Sequence, residues 1–414
     1  MAKIYHAHLW GSREDKYQYL LENDITTVEW TELNPQSPFY LFIPQNTDYK
    51  AEYEQGWKIT DIMPVNSTGV KTHRDHFVFD FDLSELRQRI AKFRDINITD
   101  QEISEIYNIQ DTRDWKLAQR RRSLKTNLDW KKYFTQCLYR PFDCRFYYHH
   151  EDVVELPRHE IMRQMMMGNN LAIGVGRQGN AVEDILWSLI SVSHFPVDTN
   201  LFRRGGINIF PLYLYPDTKN KQGSLFVEKT PNISSDFIST IKEKLGYIPT
   251  PEAIFYYIYA IFHSPTYRQR YAEFLKIDFP RVPLTNNEQL FKSLSEKGKE
   301  LVELHLMKSK KLNKLITKVV SNGDNTVTEV TYKPTEQRVY INKNCYFEGI
   351  EPNVWEFKIG GYQVLDKWLK DRKKAKRTLS FDDVLHYQKI VVALKETRQL
   401  MSEIDRLIPS FPIE

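Results

Sequence analysis

The sequence predicts a mixed α+β protein: a β-rich region first, then a helical subdomain and a long C-terminal helix. Three features carry that expectation. Aromatic and branched runs at Phe39–Pro44, Phe77–Phe81 and Trp130–Tyr148 have the composition of strands. From Thr250 the chain reads as a capped helix, with Thr250 at the N-cap, Pro251 at the first helical position and Glu252 complementing the dipole. Ile254, Phe255, Ile258, Ile261 and Phe262 share its apolar face. Near the end, Ser380 and Asp383 form a capping-box pattern. Ile390, Leu394, Thr397, Met401, Ile404 and Ile408 then recur at spacings of four and three, as one buried seam requires.

At 414 residues the chain is too long for one small core. Shifts in pattern divide it into a β-rich part (1–150), a central strand region (151–232) and a C-terminal part (233–414) holding the helical corner, a β-hairpin and the last helix. With 58 Lys and Arg against 54 Asp and Glu the net charge is only +4, so nucleic-acid binding would need locally clustered charge. Cys137, Cys144 and Cys345 have no CxxC spacing and suggest neither a zinc site nor a disulfide framework. No apolar run reaches the ~18 residues of a membrane span, and no signal peptide is recognisable, so the cytoplasm is the expected compartment.

In chain order, Glu14–Leu21 suits a short helix. Asn66–Gly69 is a turn that leads into the polar run Val70–Asp75, where Lys71, Thr72 and Arg74 could serve either a solvated loop or a phosphate or base edge. Leu83–Leu128 is helical and charged, its basic run Arg120–Arg122 with Lys125 reading as a solvated face. Arg158–Met167 resembles a short helix. Gly174–Gly179 fits GxGxxG, with Asp198 near the place of a ribose-binding acid, but no βαβ unit follows and dinucleotide binding is not expected. Asp217–Asn232 reads as a linker. After the 250–262 helix, Ser264-Pro265 starts a second helix with Arg268 and Arg270 on a basic side, and Pro280 and Pro283 end it. Asn286–Leu315 is helical and Val319–Tyr346 suits a hairpin about Asn322–Asn325. Val354–Ile359 reads as a strand broken by Gly360-Gly361, followed by a helix over Gln363–Leu369 and a basic turn over Asp371–Arg377.

Several of these stretches together resemble the C-terminal target-recognition (specificity) domain of type ISP restriction–modification enzymes and related adenine-methylase fusion proteins. They are Gly69–Asp75 (GVKTHRD), Tyr139–Asp143 (YRPFD), Ile209–Tyr213 (IFPLY), Thr250–Leu284 and Trp355–Arg372. They cover most of the chain. The resemblance implies a module that binds double-stranded DNA and presents it to an N-terminal methyltransferase domain or subunit, which would hold S-adenosylmethionine. The candidate DNA contacts are Lys71, Thr72, Arg74, Arg177, Gln178, Asn180, Arg203 and Arg204, with no catalytic or metal-binding residue in this chain.

The residues themselves agree with a non-catalytic reading. Asn34-Pro35-Gln36-Ser37 lacks the second proline and stacking aromatic of an NPP(Y/F) base grip, and no Gly-rich cofactor loop is recognisable. The rival reading is a self-contained nuclease, with Glu356-Phe357-Lys358 as the ExK half of a PD-(D/E)xK site and Glu348 or Glu351 as the upstream acid. His149, His150 and His159 with Glu151 and Asp152 match no metal-binding template and read as a polar loop.

Overall fold

The structure, a computed structural model, describes residues 2–37, 39–167, 169–177, 186–203, 206–216 and 229–413. The chain divides into two units, Met1–Ala51 and Glu52–Glu414. In the first, strand Ile4–His6 pairs antiparallel with Thr31–Leu33. Helix Arg13–Glu22 starts at Ser12, whose hydroxyl accepts from the Asp15 N–H at 3.1 Å while the Asp15 carboxylate accepts from the Ser12 N–H at 3.0 Å. The strand expected over Phe39–Pro44 does not form; its described residues make turns and bends. Prolines at 35, 38 and 44 remove backbone donors there, so the segment cannot enter a ladder.

The larger unit runs across the boundaries expected at 150 and 232. Edge strand Ser67–Thr68 pairs with Asn208–Ile209, and Leu138 bridges Val197. The four-stranded sheet runs Ser67–Thr68, Asn208–Pro211, Ala172–Val175, Ile190–Ser193, each pair antiparallel. That topology removes the βαβ context a GxGxxG needs, and Gly179 lies outside the described residues. A three-stranded sheet holds the hairpin Phe134–Arg140/Asp143–Tyr148 with Phe79–Asp80 at its edge. Of the expected strand Phe77–Phe81, Phe77 and Val78 instead complete a helical turn, Asp75–Val78, which buries both; on a strand they would face opposite sides.

A third sheet orders Lys318–Val320, Cys345–Glu348, Arg338–Asn342 and Thr331–Lys333. The expected hairpin about Asn322–Asn325 is absent because the chain beyond that turn is claimed elsewhere. The Val327 N–H donates to the Arg377 carbonyl at 3.0 Å, and Thr326 bridges Thr378.

The helical corner forms as its start signals require. The Thr250 hydroxyl accepts from the Ala253 N–H at 3.2 Å, and Ser264 caps the next helix by accepting from Tyr267 at 3.0 Å. Arg268 does not lie on a solvated face: it is buried, donates to the Phe262 carbonyl at 2.7 Å and lies over Trp187. Helix Pro251–Ile261 packs against Glu288–His305, where Gly298 faces the Tyr256 main chain, Tyr257 stacks on Phe291 and Ser295 donates to the Ala253 carbonyl at 3.0 Å. The seam of Phe381–Leu407 packs mainly on Glu288–His305 and reaches the corner through Asp405, which accepts from Thr266 N–H at 3.0 Å.

A buried polar chain ties these three helices together. The Thr397 hydroxyl donates to the Ala393 carbonyl at 2.7 Å, so it accepts from His305 Nε2–H at 2.9 Å; His305 Nδ1 then accepts from the Tyr259 hydroxyl at 2.6 Å. Both histidine contacts are made by the neutral ring. Burial, with Arg268 nearby, pushes His305 down to about 3, and burial beside His159 does the same to His149. Unfolded histidine titrates near ~6.5. The stability these groups contribute is therefore full above that pH and is lost as the pH falls toward 3. Urea unfolding between pH 6.5 and 4 should show a midpoint falling with decreasing pH, with about two protons taken up on unfolding from these two rings. A midpoint flat across that range would contradict the buried neutral assignment.

Candidate nucleic-acid interface

The run Gly69–Asp75 threads between two other segments. The Val70 N–H donates to the Val197 carbonyl at 2.8 Å and Thr199 N–H returns to Val70 at 2.9 Å; Lys71 and Leu156 exchange bonds at 3.1 and 2.9 Å. Glycine is required at 69 because a Cβ would stand 2.7 Å from the Val197 carbonyl oxygen and 2.8 Å from the Thr199 nitrogen. Beyond it Val70 and Lys71 lie in bridges and the chain then turns at His73, with exposure alternating along the run: Lys71 and His73 are exposed, Thr72 and Arg74 buried.

That alternation separates the sequence candidates. Thr72 donates a short hydrogen bond to Asp75. Arg74, 4% exposed, donates to the Thr72 and Val153 carbonyls and to Glu155 at 3.2, 3.0 and 3.1 Å, with its guanidinium stacked 3.8 Å over Trp115. Both side chains are committed inside the protein and hold the loop instead of lining its surface. Lys71 remains at the surface, joined by His73 at φ +58 with Glu155 at 3.4 Å, a neighbour that sequence reasoning passed over.

Arg177 and Arg203 reach the surface from two further loops. Arg177 follows the end of strand Ala172–Val175, exposed, with its guanidinium 5.3 Å from the Phe279 ring. Arg203 is exposed at φ +86 beside the buried Phe202. Phe202 is where these loops meet: a Cβ on Gly176 would lie 3.0 Å from its ring, and one on Gly360 2.7 Å from its Cβ. The Gly361 N–H donates to the Phe202 carbonyl at 3.2 Å, and the stem of Arg203 covers Gly361. Segment 197–203 thus touches the Lys71 loop, the Arg177 strand end and the Gly360–Gly361 turn, beside which Lys358 is exposed. Gln178, Asn180 and Arg204 lie outside the described residues.

Beside these loops the Tyr139–Asp143 motif forms an ion-paired base. Arg140 donates to Asp198 at 2.7 Å; burial still pushes the Asp198 carboxyl up to about 6. Asp198 is therefore an internal ion-pair partner and not a ribose ligand. Tyr139 lies between the guanidinium groups of Arg140 and Arg145, at 3.8 and 4.0 Å, and donates to Asp75 at 3.0 Å. Phe142 turns the hairpin at φ +59, its carbonyl accepting from His386 on the long helix at 2.8 Å. Asp143 is buried between Arg145 and Arg372, which also removes Arg372 from the basic turn expected over 371–377. The basic run at 120–122 is likewise split. Arg121 is buried with Asp100 and the Phe93 and Ile98 carbonyls, while Arg122 and Lys125 remain exposed.

The nuclease geometry does not assemble. Pro352–Trp355 is a helix with Glu356 at its C-cap, not a strand. Glu348 pairs with Arg338 at 3.1 Å and Glu351 with Lys395 at 2.7 Å, so both upstream acids are engaged by cations from other elements. The histidines near 150 are packed, not a polar loop: His149 Nε2 lies 3.2 Å from His159 Nδ1, and His149 is buried. Among the described residues no group of three His, Cys, Asp or Glu could hold a metal ion, and no helix is long and apolar enough to cross a membrane.

Exposed cations on glycine-bounded loops thus lie beside an ion-paired base. The chain belongs to the Type ISP C-terminal specificity domain family, which it matches over residues 61–403. Among solved structures it is similar to the ATP-dependent Type ISP restriction-modification enzyme LlaBIII bound to DNA (TM-score 0.72, 21% identity, 93% of this chain and 26% of that one). A nuclease-deletion mutant of the Type ISP enzyme LlaGI with a DNA substrate mimic matches with TM-score 0.72 and 20% identity, over 100% of this chain and 33% of that one. The DrdV–DNA complex matches with TM-score 0.71 and 19% identity, over 97% and 42%. At these identities the likeness is one of fold, and the chain spans only about a quarter to two fifths of those chains. No curated protein sequence matches it.

Proposed function

We propose that this chain recognises the DNA target of a restriction–modification enzyme that methylates adenine, binding duplex DNA in the cytoplasm and presenting it to a methyltransferase domain or subunit. The family match over 61–403 carries this reading; the convergence of Lys71, Arg177, Arg203 and Lys358 on loops tied to segment 197–203 gives it a surface. S-adenosylmethionine would bind in the methyltransferase partner. Thr72 and Arg74 act here as supports of the Lys71 loop. Lys71 is a flexible point charge suited to a phosphate. Arg177, at a strand end where its direction is set, is suited to bridge guanine O6 and N7.

The two roles separate experimentally. Binding of wild-type and variant protein to cognate and scrambled duplexes is measured across a salt series, the cognate site taken from methylation mapping. Lys71→Ala should weaken both complexes alike and lower the salt slope by roughly one unit. Arg177→Ala should weaken the cognate complex by roughly 10- to 100-fold with little change on scrambled DNA. Equal losses from Arg177→Ala on both duplexes would make it a phosphate contact, and wild-type protein that does not discriminate cognate from scrambled DNA would refute target recognition.

A further inference from the structure

The unit Met1–Ala51 has no core of its own. None of its described residues up to Lys50 is buried, yet it carries 12 of the 22 exposed large apolar side chains among the described residues, in an eighth of the chain. Tyr17, Leu20 and Leu21 share one face of helix Arg13–Glu22, Leu21 being 88% exposed, and Trp10 just ahead of it is 74% exposed. An apolar surface of this density on so short a segment marks an interaction site.

Its charge says which kind. Residues 1–51 hold four Lys and Arg against seven Asp and Glu, a net −3 in a chain whose total is +4. A phosphate backbone repels such a segment, so it is unsuited to be a DNA arm. The family match begins at residue 61, beyond this unit, while the LlaGI structure matches the whole of this chain within a polypeptide three times as long. The segment therefore has a counterpart in a larger assembly with ample protein to cover it.

We propose that residues 2–51 are a docking element that buries Trp10 and the Tyr17–Leu20–Leu21 face against an apolar, basic-rimmed surface of the methyltransferase partner. The apolar face supplies the affinity, and Glu14, Asp15 and Glu22 at the margins of the helix select a basic rim. The inference rests on the reading that the chain serves a methyltransferase, and its test is kept independent of DNA binding.

The full chain is compared with its Leu20→Asp/Leu21→Asp variant in three assays: association with the methyltransferase domain or subunit, expressed separately and supplied in trans; affinity for duplex DNA; and sedimentation of the chain alone. The variant should bind the methyltransferase at least ~30-fold more weakly, as for a central apolar anchor, with DNA affinity within about twofold of wild type. Because neither leucine is buried, the fold of Glu52–Glu414 should be intact by circular dichroism. No association of the wild-type chain at 10 micromolar, or equal association of wild type and variant, would overturn the proposal. So would a DNA-affinity loss without a docking loss (a nucleic-acid arm), or self-association of wild type that the variant abolishes (a second copy as occupant). Failure of DNA binding by both proteins with docking intact would count against target recognition alone.

Discussion

A chain carrying Gly298→Ala is expected to lose its cooperative fold, or to melt far below wild type. Gly298 lies inside helix Glu288–His305, where alanine is intrinsically the better residue by about 1 kcal/mol. The sign is decided by what a Cβ would meet: the Tyr256 carbonyl oxygen at 1.9 Å and its carbonyl carbon at 2.6 Å. These are main-chain atoms of a buried helix, so no rotamer change relieves the overlap. Relief requires the helices to part, which breaks the Tyr257–Phe291 stack and the Ser295 bond to Ala253 and opens the packing of Ile254 and Leu301. Overpacking of this severity costs roughly 3 kcal/mol or more. Gly246→Ala is the control. Gly246 caps helix Ser235–Leu245 at φ +78 with nothing within 4 Å of the new Cβ, so only backbone strain of about 1 kcal/mol applies. Thermal melts followed by circular dichroism separate the two, and a Gly298→Ala melting temperature equal to that of Gly246→Ala would refute the close approach.

Features whose chemistry is local were legible in the sequence. Thr250-Pro251, Ser264-Pro265 and the Ser380/Asp383 box each cap a helix where expected, because the cap and the donor it satisfies lie within three residues. The readings that failed depend on a distant partner. Arg268 looks solvated until Trp187 and the Phe262 carbonyl cover it, and the Asn322–Asn325 turn looks like a hairpin until Thr378 and Arg377 take the following strand. Glu356-Phe357-Lys358 resembles half of a metal site only if Glu356 is extended, and Pro352 starts a helix that carries it instead.

Within the candidate interface the residue types were easier to read than their directions. Glycine-bounded positions put Lys71, Arg177 and Arg203 at the surface. Thr72 and Arg74 turn inward to Asp75 and to partners elsewhere in the fold, and those that claim Arg74, Trp115 and Glu155, are 41 and 81 residues away. The Tyr139–Asp143 motif was recognisable as a pattern, but its role as an ionic base needs Asp198 and Arg372, each more than 50 residues distant.

Asp143→Ala should show how much of the module rests on that base. Asp143 is 1% exposed and accepts from Arg145 at 2.7 and 3.0 Å and from Arg372 at 2.8 Å. Burial alone would raise its carboxyl; Arg372 and Arg145 overcome that and hold it well below the usual carboxylate range. Its contribution to stability is therefore present above the unfolded carboxylate range and is lost only in strong acid. Removing it strands Arg372, which is 4% exposed, stacked 3.5 Å over Trp368 and left with the Trp368 carbonyl at 3.3 Å. Arg145 keeps Asp371 at 2.9 Å and is less affected. A buried guanidinium without its carboxylate costs about 3–5 kcal/mol, whereas replacing both partners with apolar groups is close to neutral. Asp143→Ala should therefore be strongly destabilised at pH 7, and Asp143→Ala/Arg372→Met should recover most of the loss. Urea unfolding of the wild type, both single variants and the double variant closes the cycle. Additive losses in the double variant would mean that Asp143 and Arg372 do not act as a pair and that the hairpin is held to helix Val364–Lys374 by packing alone.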